Sequence, residues 1–241
     1  MRQIAVLGAT GSIGRSTLDV ITRHPDRYQA TLLAANCSVD DMEILCRQHM
    51  PPYAIMGQPD AAESLRERLS DSARITVLSG SEPLDDLVAD PAIHSVVAGI
   101  VGFAGLRSAL SAARAGKHIL LANKEALVSA GGLFMETVRS GGATLLPVDS
   151  EHNAMHQCLP IMNDGRPDMT HVEKIVLTAS GGPFRGRSRE VLDDVTPAEA
   201  CAHPNWSMGQ KISVDSATLA NKGLELAEAC WLFDWHPDQI E

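Results

Sequence analysis

The fold is decided near the start of the chain, where an apolar run leads directly into three glycines. Residues 3–14 read QIAVLGATGSIG, and a helix-period segment follows them. Glycines placed between a strand and a helix let the backbone turn tightly and approach a pyrophosphate, which the helix N-terminus then holds. The spacing G-x-x-G-x-x-G is a variant of the common dinucleotide pattern, and a plain tight turn is the alternative. We interpret the stretch as a dinucleotide cradle.

Short apolar runs alternate with helical patterns over the following 125 or so residues. After a helix at 13–24, strands are predicted at 30–35, 75–78, 95–98, 118–121 and 143–148, and helices at 41–49, 106–115 and 126–140. Strands separated by helices imply right-handed crossovers. The pattern therefore predicts an α/β domain at residues 1–149 with a Rossmann-like, mostly parallel sheet covered on both faces.

The pattern changes near residue 150. Helices are predicted at 153–162, after the N-cap Thr196, and from Ser216, with strands at 174–177 and 211–214. The chain stops at Glu241 without a visible closing element. We therefore predict a second, α+β domain at residues 150–241 that is apparently truncated.

Composition restricts the class of protein. The 241 residues carry 20 Lys and Arg against 30 Asp and Glu, a net charge of −10. That balance argues against non-specific binding of nucleic acid or anionic membranes. The longest uncharged apolar run, residues 96–106, is too short to cross a bilayer, and no signal peptide is visible. Five scattered cysteines without a C-x-x-C pair are typical of a reduced compartment, so a cytoplasmic enzyme is expected.

The end of the second strand bears on the choice of cofactor. An NAD site usually places an acid about 20 residues past the glycines, on the ribose hydroxyls. Here the strand ends in Asn36, Cys37 and Ser38, and the acids that follow, Asp40 and Asp41, read as helix N-caps. The missing acid favours NADP, although none of these three positions carries Arg or Lys.

Two groups of polar residues are candidates for chemistry. Asp149 and Glu151 follow the last strand of the first domain, point the same way in an extended segment, and could share a hard cation or simply cap a helix. Asn221, Lys222 and Glu225 share one face of the final helix, which could also be a solvated face. The histidines His152 and His156 lack a zincin Glu between them and are interpreted as surface or packing residues.

Five strings together resemble one family, 1-deoxy-D-xylulose 5-phosphate reductoisomerase. They are GATGSIGRSTLDV (8–20), LANKEALV (120–127), PVDSEHNA (147–154), LTASGGPFR (177–185) and HPNWSMGQKISVDSATLANKGLE (203–225). The resemblance implies an NADPH domain followed by a catalytic domain. The family rearranges a linear keto-sugar phosphate to a branched aldehyde and reduces it to 2-C-methyl-D-erythritol 4-phosphate, using Mn²⁺ or Mg²⁺.

The resemblance also implies a role for particular residues. Lys124, Glu151 and His203 are the implied catalytic residues, and Trp206 and Met208 belong to a lid. The metal ligands would be Asp149, Glu151 and Glu225. The NADPH contacts would be Thr10, Gly11, Ser12, Ile13, Asn36, Cys37, Ser38, Asn123, Glu125 and Gly209. The substrate contacts would be Lys124, Ser150, Glu151, Ser180, His203, Ser216, Asn221, Lys222 and Glu225.

Two departures from the family pattern affect these expectations. The family commonly has a Gly-Lys/Arg-Asn stretch after the second strand, where this chain has Asn36-Cys37-Ser38. Family chains are also longer and continue through a dimer-forming sheet, so a homodimer is expected only of a full-length chain. An NADP-binding fragment without turnover is therefore the alternative. A semialdehyde-type reductase would need a catalytic Cys–His arrangement, and none is evident in the sequence.

Overall fold

The structure is a computed structural model that describes residues 1–162, 167–204 and 209–241. The chain forms two compact units, Met1–Asn153 and Ala154–Glu241. The strands are β1 (Arg2–Leu7), β2 (Tyr28–Ala35), β3 (Tyr53–Met56), β4 (Thr76–Ser79), β5 (Ser95–Ala98), β6 (His118–Leu121) and β7 (Thr144–Pro147). The helices of the first unit are α1 (Ser12–Arg23), α2 (Val39–His49), α3 (Pro59–Arg68), α4 (Ser81–Ala89), α5 (Leu106–Arg114) and α6 (Lys124–Gly141).

The seven strands form one parallel sheet in the order β4-β3-β2-β1-β5-β6-β7. Strand β1 lies at its centre, where Ile4 pairs with Ala30 of β2 on one side and with Ser95 of β5 on the other. The chain direction across the sheet reverses at this strand, and such switch points form the ligand crevice of open parallel sheets. The predicted Rossmann-like sheet is confirmed.

The apolar pattern of α1 explains how it packs. Gly14, Leu18 and Ile21 recur at helical spacing and are the buried positions of this helix. They belong to a core cluster that also holds Val6 of β1 and Leu33 of β2. Burial of this face fixes the N-terminus of α1 beside the end of β1, where the glycine turn lies.

The second unit is mostly helical in the part that the structure describes. Helix α7 (Ser150–Cys158) begins in the first unit, and the later helices are α8 (Arg189–Leu192), α9 (Pro197–Cys201), α10 (Gln210–Ala217) and α11 (Ala220–Phe233). The isolated β-bridges join Ile161 to Pro167 and Ile175 to Ile240. Its core cluster is small and centres on Ile175, Ala229 and Phe233.

Several predictions for the second unit were wrong. Residues 211–214, predicted as a strand, lie inside α10. Their apolar alternation is not an alternation of burial, since Ser213 is buried and Val214 is exposed. The last helix begins at Ala220, after Leu219 adopts a left-handed φ of 61°, rather than at Ser216. The strand predicted at 174–177 is reduced to the single bridge at Ile175.

In the first unit, β3, α3 and α4 were missed. Among the described residues, no helix combines the length and the apolar character that crossing a bilayer requires.

Candidate active site

The glycine turn connects β1 to α1 through close backbone approaches. Gly8 has φ +77°, and a Cβ on it would lie 2.5 Å from the carbonyl oxygen of Gly99, so that both the conformation and the space require glycine. Gly11 is the N-cap of α1, and its N–H donates to the Gly8 carbonyl at 3.0 Å. The predicted contacts Thr10 and Gly11 therefore lie in this turn, and Ser12 and Ile13 lie in the first turn of the helix.

The electrostatics of this turn suit an anion. The first turn of α1 contains no acidic residue. Its free N–H groups and its helix dipole therefore present partial positive charge to the cradle, uncompensated by a carboxylate of that turn. The cradle has the geometry and the charge that a pyrophosphate needs.

The end of β2 lies beside the cradle, as a dinucleotide site requires. Asn36 and Cys37 follow the strand, and Ser38 is the N-cap of α2. The Cys37 thiol is exposed. The acids that were interpreted as caps are engaged elsewhere, since Asp40 pairs with Arg68 and Asp41 pairs with Arg15. That reading of them as caps was wrong.

Asn123 links two loops at the carboxyl edge of the sheet. Its Oδ1 accepts from the N–H of Ala126 at 3.2 Å and so caps α6, while its Nδ2 donates at 2.7 Å to the carbonyls of Ile100 and Gly102. The residue is 3% exposed. The side chain therefore holds the loop after β5 against the start of α6, where the next residues are Lys124 and Glu125.

Lys124 and Asp149 form an ion pair at the ends of neighbouring strands, β6 and β7. Their side chains are 8% and 15% exposed. Beside them, the Ser150 hydroxyl donates to the Glu151 carboxylate. A buried lysine held by a carboxylate can stabilise a developing oxyanion, and carboxylate oxygens are the donors that Mg²⁺ and Mn²⁺ prefer. His152, next in the chain, is fully buried, in agreement with a packing role.

In the second unit, residues from three places meet the segment 178–182. The Ser180 hydroxyl and the His203 Nε2 are 2.9 Å apart, and the Lys222 ammonium donates to the Thr178 carbonyl. Gly182, at φ +69°, packs so closely on Ser216 that a Cβ would lie 2.6 Å from the Ser216 carbonyl oxygen. The structure thus brings the predicted phosphate contacts Ser180, His203, Ser216 and Lys222 to one loop.

The polar residues predicted to share one face of the final helix contact each other in the structure. Both the Asn221 amide and the Lys222 ammonium donate to the carboxylate of Glu225, which is 1% exposed. A buried carboxylate with two donors is a costly arrangement that ordinary surface helices do not need. This face is therefore not a solvated surface of α11.

The remaining predicted residues are placed less informatively. Gly209 is the exposed N-cap of α10. The predicted lid residues Trp206 and Met208 lie outside the described residues. Arg15 was not identified as a candidate from the sequence, because it lies on α1, well before the second strand. The structure pairs it with Asp41 in the first turn of α2, the helix that follows that strand.

The parallel sheet and the glycine turn place this chain in the class of dinucleotide-binding α/β proteins. Within it, this chain belongs to the 1-deoxy-D-xylulose 5-phosphate reductoisomerase family. The model of that family matches residues 4–131, and the model of its C-terminal domain matches residues 145–233.

Curated relatives and solved structures agree with this assignment. A 1-deoxy-D-xylulose 5-phosphate reductoisomerase of Pseudomonas putida (strain W619) is 57% identical over 242 residues, which is 100% of this chain and 61% of the relative. One of Nitrosococcus oceani is 58% identical, over 99% of this chain and 61% of the relative. The chain thus spans about three fifths of the length of these relatives.

A crystal structure of DOX-P reductoisomerase in complex with NADPH, fosmidomycin and magnesium has a TM-score of 0.94 and 48% identity, over 100% of this chain and 60% of that one. The enzyme from Zymomonas mobilis, in complex with NADPH, has a TM-score of 0.89 and 45% identity, with the same coverage of both chains.

Proposed function

We propose that this chain provides the NADPH site and much of the substrate site of an enzyme that converts 1-deoxy-D-xylulose 5-phosphate to 2-C-methyl-D-erythritol 4-phosphate. The observation that carries the proposal is the pair of buried Lys124 with partly buried Asp149, beside Ser150 and Glu151 at the carboxyl edge of the sheet. Membership of the family supports the same reaction. The solved relatives that bind NADPH and magnesium support the choice of cofactors.

Lys124 is proposed to contact the substrate next to the reacting carbonyl. Its side chain is 8% exposed, so its positive charge acts on an oxyanion with little screening by water. Asp149 pairs with this ammonium and orients it. Ser150 and Glu151 are proposed to hold the hydroxyl groups of the sugar.

The segment 178–182 is proposed to bind the substrate phosphate. Ser180, His203 and Lys222 already contact this segment or each other through hydroxyl, imidazole and ammonium groups, which donate to phosphate oxygens. Ser216 and Asn221 complete the proposed set. Lys222 supplies the charge, and the neutral donors fix the orientation of the phosphate.

A divalent cation is proposed to bind Asp149, Glu151 and Glu225. The residues fit this role chemically, because all three offer carboxylate oxygens and none offers a thiolate. The ammonium groups of Lys124 and Lys222 pair with two of these carboxylates, Asp149 and Glu225. When bound, Mg²⁺ or Mn²⁺ polarises the ketone and lowers the pKa of the neighbouring hydroxyl.

NADPH is proposed to lie with its pyrophosphate on Thr10–Ile13 and its adenosine ribose at residues 36–38. Asn123, Glu125 and Gly209 complete the proposed contacts of the cofactor. Trp206 and Met208 are proposed as a lid that excludes water from the aldehyde intermediate until hydride transfer. We also propose that the full-length chain forms a homodimer and is located in the cytoplasm.

The alternative function is a module that binds NADPH without turnover. It applies to the 241-residue chain tested by itself, which spans 61% of the length of its relatives. Steady-state turnover of the keto-sugar phosphate with NADPH separates the two possibilities. We expect the 241-residue chain to bind NADPH and to turn over poorly. Rates equal to those of a full-length relative would exclude the alternative.

The metal assignment is tested by Asp149→Asn in a full-length context. We expect metal-dependent turnover to be abolished and the affinity for NADPH to change less than about twofold, because the cofactor cradle is formed by other residues. Glu136→Gln, which neutralises an exposed acid on α6, is the control and should leave both quantities unchanged. Unchanged activity of Asp149→Asn at saturating Mn²⁺ would remove Asp149 from the site.

A further inference from the structure

A positive charge does lie at the start of α2, the helix that follows β2, although residues 36–38 supply none. It comes from Arg15 in the first turn of α1. Its Nη2 is 2.7 Å from Oδ1 of Asp41, and its Nε donates to the Thr10 carbonyl at 3.1 Å. The side chains of Arg15 and Asp41 are 50% and 44% exposed, so the guanidinium stays open to a ligand.

These two contacts fix where the guanidinium is. Thr10 belongs to the glycine turn after β1, and Asp41 lies in the first turn of α2, three residues past the N-cap Ser38. Strands β1 and β2 are neighbours in the sheet. The guanidinium therefore bridges the cradle and the start of α2. In this class of fold, the adenosine ribose of a dinucleotide lies between those two features, and an arginine nearby accommodates the 2′-phosphate of NADP.

We propose that Arg15 binds the 2′-phosphate of NADPH and thereby determines the preference of this chain for NADPH over NADH. The inference rests on the NADPH site proposed above and names the residue that selects the cofactor. A guanidinium has five N–H donors, and the contacts with Thr10 and Asp41 within the described residues occupy two of them. The others are available to phosphate oxygens.

The ion pair of Arg15 with Asp41 also affects the choice between NADPH and NADH. An acid at the end of the second strand is the group that normally accepts hydrogen bonds from the ribose hydroxyls of NAD and repels a 2′-phosphate. Asp40 is held by Arg68 of α3, at 2.5 Å, whereas Asp41 is held by Arg15. Arg15 therefore neutralises an acid in the first turn of α2, whose charge would otherwise repel a 2′-phosphate. An exposed ion pair of this kind is weak, so a doubly charged phosphate competes well for the guanidinium.

The test is a double-mutant cycle on the 241-residue chain, with NADPH and NADH each titrated by fluorescence. Arg15→Gln should weaken NADPH binding about tenfold, the effect of one partly exposed charged contact, and leave NADH binding within about twofold or tighter. Asp41→Asn should tighten NADPH binding severalfold, because the competing carboxylate is lost. The double variant should lie between the parent and Arg15→Gln.

The matched control is Arg23→Gln, which removes another arginine of α1 that is paired with an acid, Asp19, at the far end of the helix. It should change neither affinity. If Arg15→Gln fails to fold, as judged by thermal unfolding, Arg15→Lys keeps the charge and should still prefer NADPH. High salt should weaken NADPH binding by the parent more than by Arg15→Gln.

Three results would overturn the inference. Arg15→Gln could leave NADPH binding unchanged, which would place the 2′-phosphate elsewhere. It could weaken both cofactors equally, which would make Arg15 a support for the cradle through Thr10. Arg15→Lys could lose the preference for NADPH despite folding normally. A parent chain that binds neither cofactor would instead show that the proposed NADPH site itself is wrong.

Discussion

The two units of this molecule bury different kinds of side chain. The first unit buries the apolar residues of seven parallel strands and their helices. In the described part of the second unit, Ile175, Ala229 and Phe233 are the buried apolar residues, while Glu225 and Glu228 are each only 1% exposed. Burying carboxylates costs stability unless they are paired, and proteins accept that cost mainly where function needs it. The stability of the first unit therefore rests on a large apolar core, whereas the described part of the second unit also buries carboxylates that need compensation.

The largest expected effects come from the two core phenylalanines. Phe134 in α6 is fully buried, and Phe233 at the end of α11 is 3% exposed. Phe134→Ala and Phe233→Ala should each cost about 3–5 kcal/mol. Phe134→Ala should unfold the first unit and reduce the fraction of protein that binds NADPH. Phe233→Ala should expose α11 to proteolysis and weaken NADPH binding much less, because most of the proposed cofactor contacts lie in the first unit.

Limited proteolysis and NADPH titration on the same samples measure both effects. Leu133→Ala, an exposed position of α6 next to Phe134, serves as the control and should change neither. Loss of NADPH binding in Phe233→Ala would show that the two units are not independent in stability, which would contradict the comparison.

The second prediction concerns the carboxylate that the second unit buries. Lys222→Met removes the ammonium that donates to Glu225 and to the Thr178 carbonyl. Because Glu225 is then left with less compensation, the second unit should lose about 1–3 kcal/mol. The matched variant Lys211→Met breaks a pair with Asp215, in which the lysine is 47% and the aspartate 19% exposed, and should cost less, because this pair is more open to water than Lys222 and Glu225.

Hydrogen exchange of the α11 amides reports the local stability of the second unit in both variants. Equal costs for Lys222→Met and Lys211→Met would mean that Glu225 does not depend on its lysine partner. The contrast between a buried and a surface charge in the second unit would then disappear.

The same contrast explains which parts of the fold were predictable. Strands of the first unit are continuous apolar runs because both faces are covered, and sequence patterns identify such runs well. The missed strand β3 has only four residues and directly follows Pro51 and Pro52, which read as a loop. In the described part of the second unit, several of the buried residues are polar instead, namely Ser213, Glu225 and Glu228. Alternation at residues 211–214 therefore predicted a strand where α10 lies.

Candidate residues that lie within continuous sequence motifs could be predicted. Residues whose role depends on contacts between distant segments of the chain could not. Motifs that are continuous in sequence, such as the glycine turn and the segment around Asp149, placed most of the candidates. Arg15 was missed because its significance depends on the meeting of α1 with α2, more than 25 residues later in the chain. The hydrogen bonds of Asn123 to the loop after β5 are likewise a tertiary contact, which no local pattern encodes.

The third prediction concerns the thiol of Cys46, which is buried in the first unit. Burial raises the pKa of Cys46 from 9.0 to about 12. Because its pKa is higher in the folded chain than in the unfolded one, its contribution to stability is complete below pH 9 and decreases as the pH rises toward 12. At pH 10 the loss should be about 1 kcal/mol.

Urea unfolding at pH 7.5 and pH 10 measures this loss, and Cys46→Ala should remove the corresponding part of the pH dependence. Cys158→Ala, which removes an exposed thiol, is the control and should retain it. If the parent and Cys46→Ala lost the same stability between the two pH values, the thiol of Cys46 would not be shielded in the way that its burial indicates.

The smallest expected effect is on the choice of cofactor, and it depends on the first unit alone. Cys37 is exposed at the position where a basic residue could reach the 2′-phosphate. A charged hydrogen bond is worth about 1.5–3 kcal/mol, against about 0.5–1.5 kcal/mol for a neutral one. Cys37→Arg should therefore widen the preference for NADPH over NADH by about 1 kcal/mol, or about fivefold, mostly through tighter NADPH binding. Cys37→Gln, a neutral side chain that reaches out in the same way, should widen it less. Titration of both cofactors on the three proteins decides the outcome. If the parent bound NADH more tightly than NADPH, the acid-free end of β2 would not select the phosphorylated cofactor, and both Cys37 and Arg15 would lose their proposed parts in that selection.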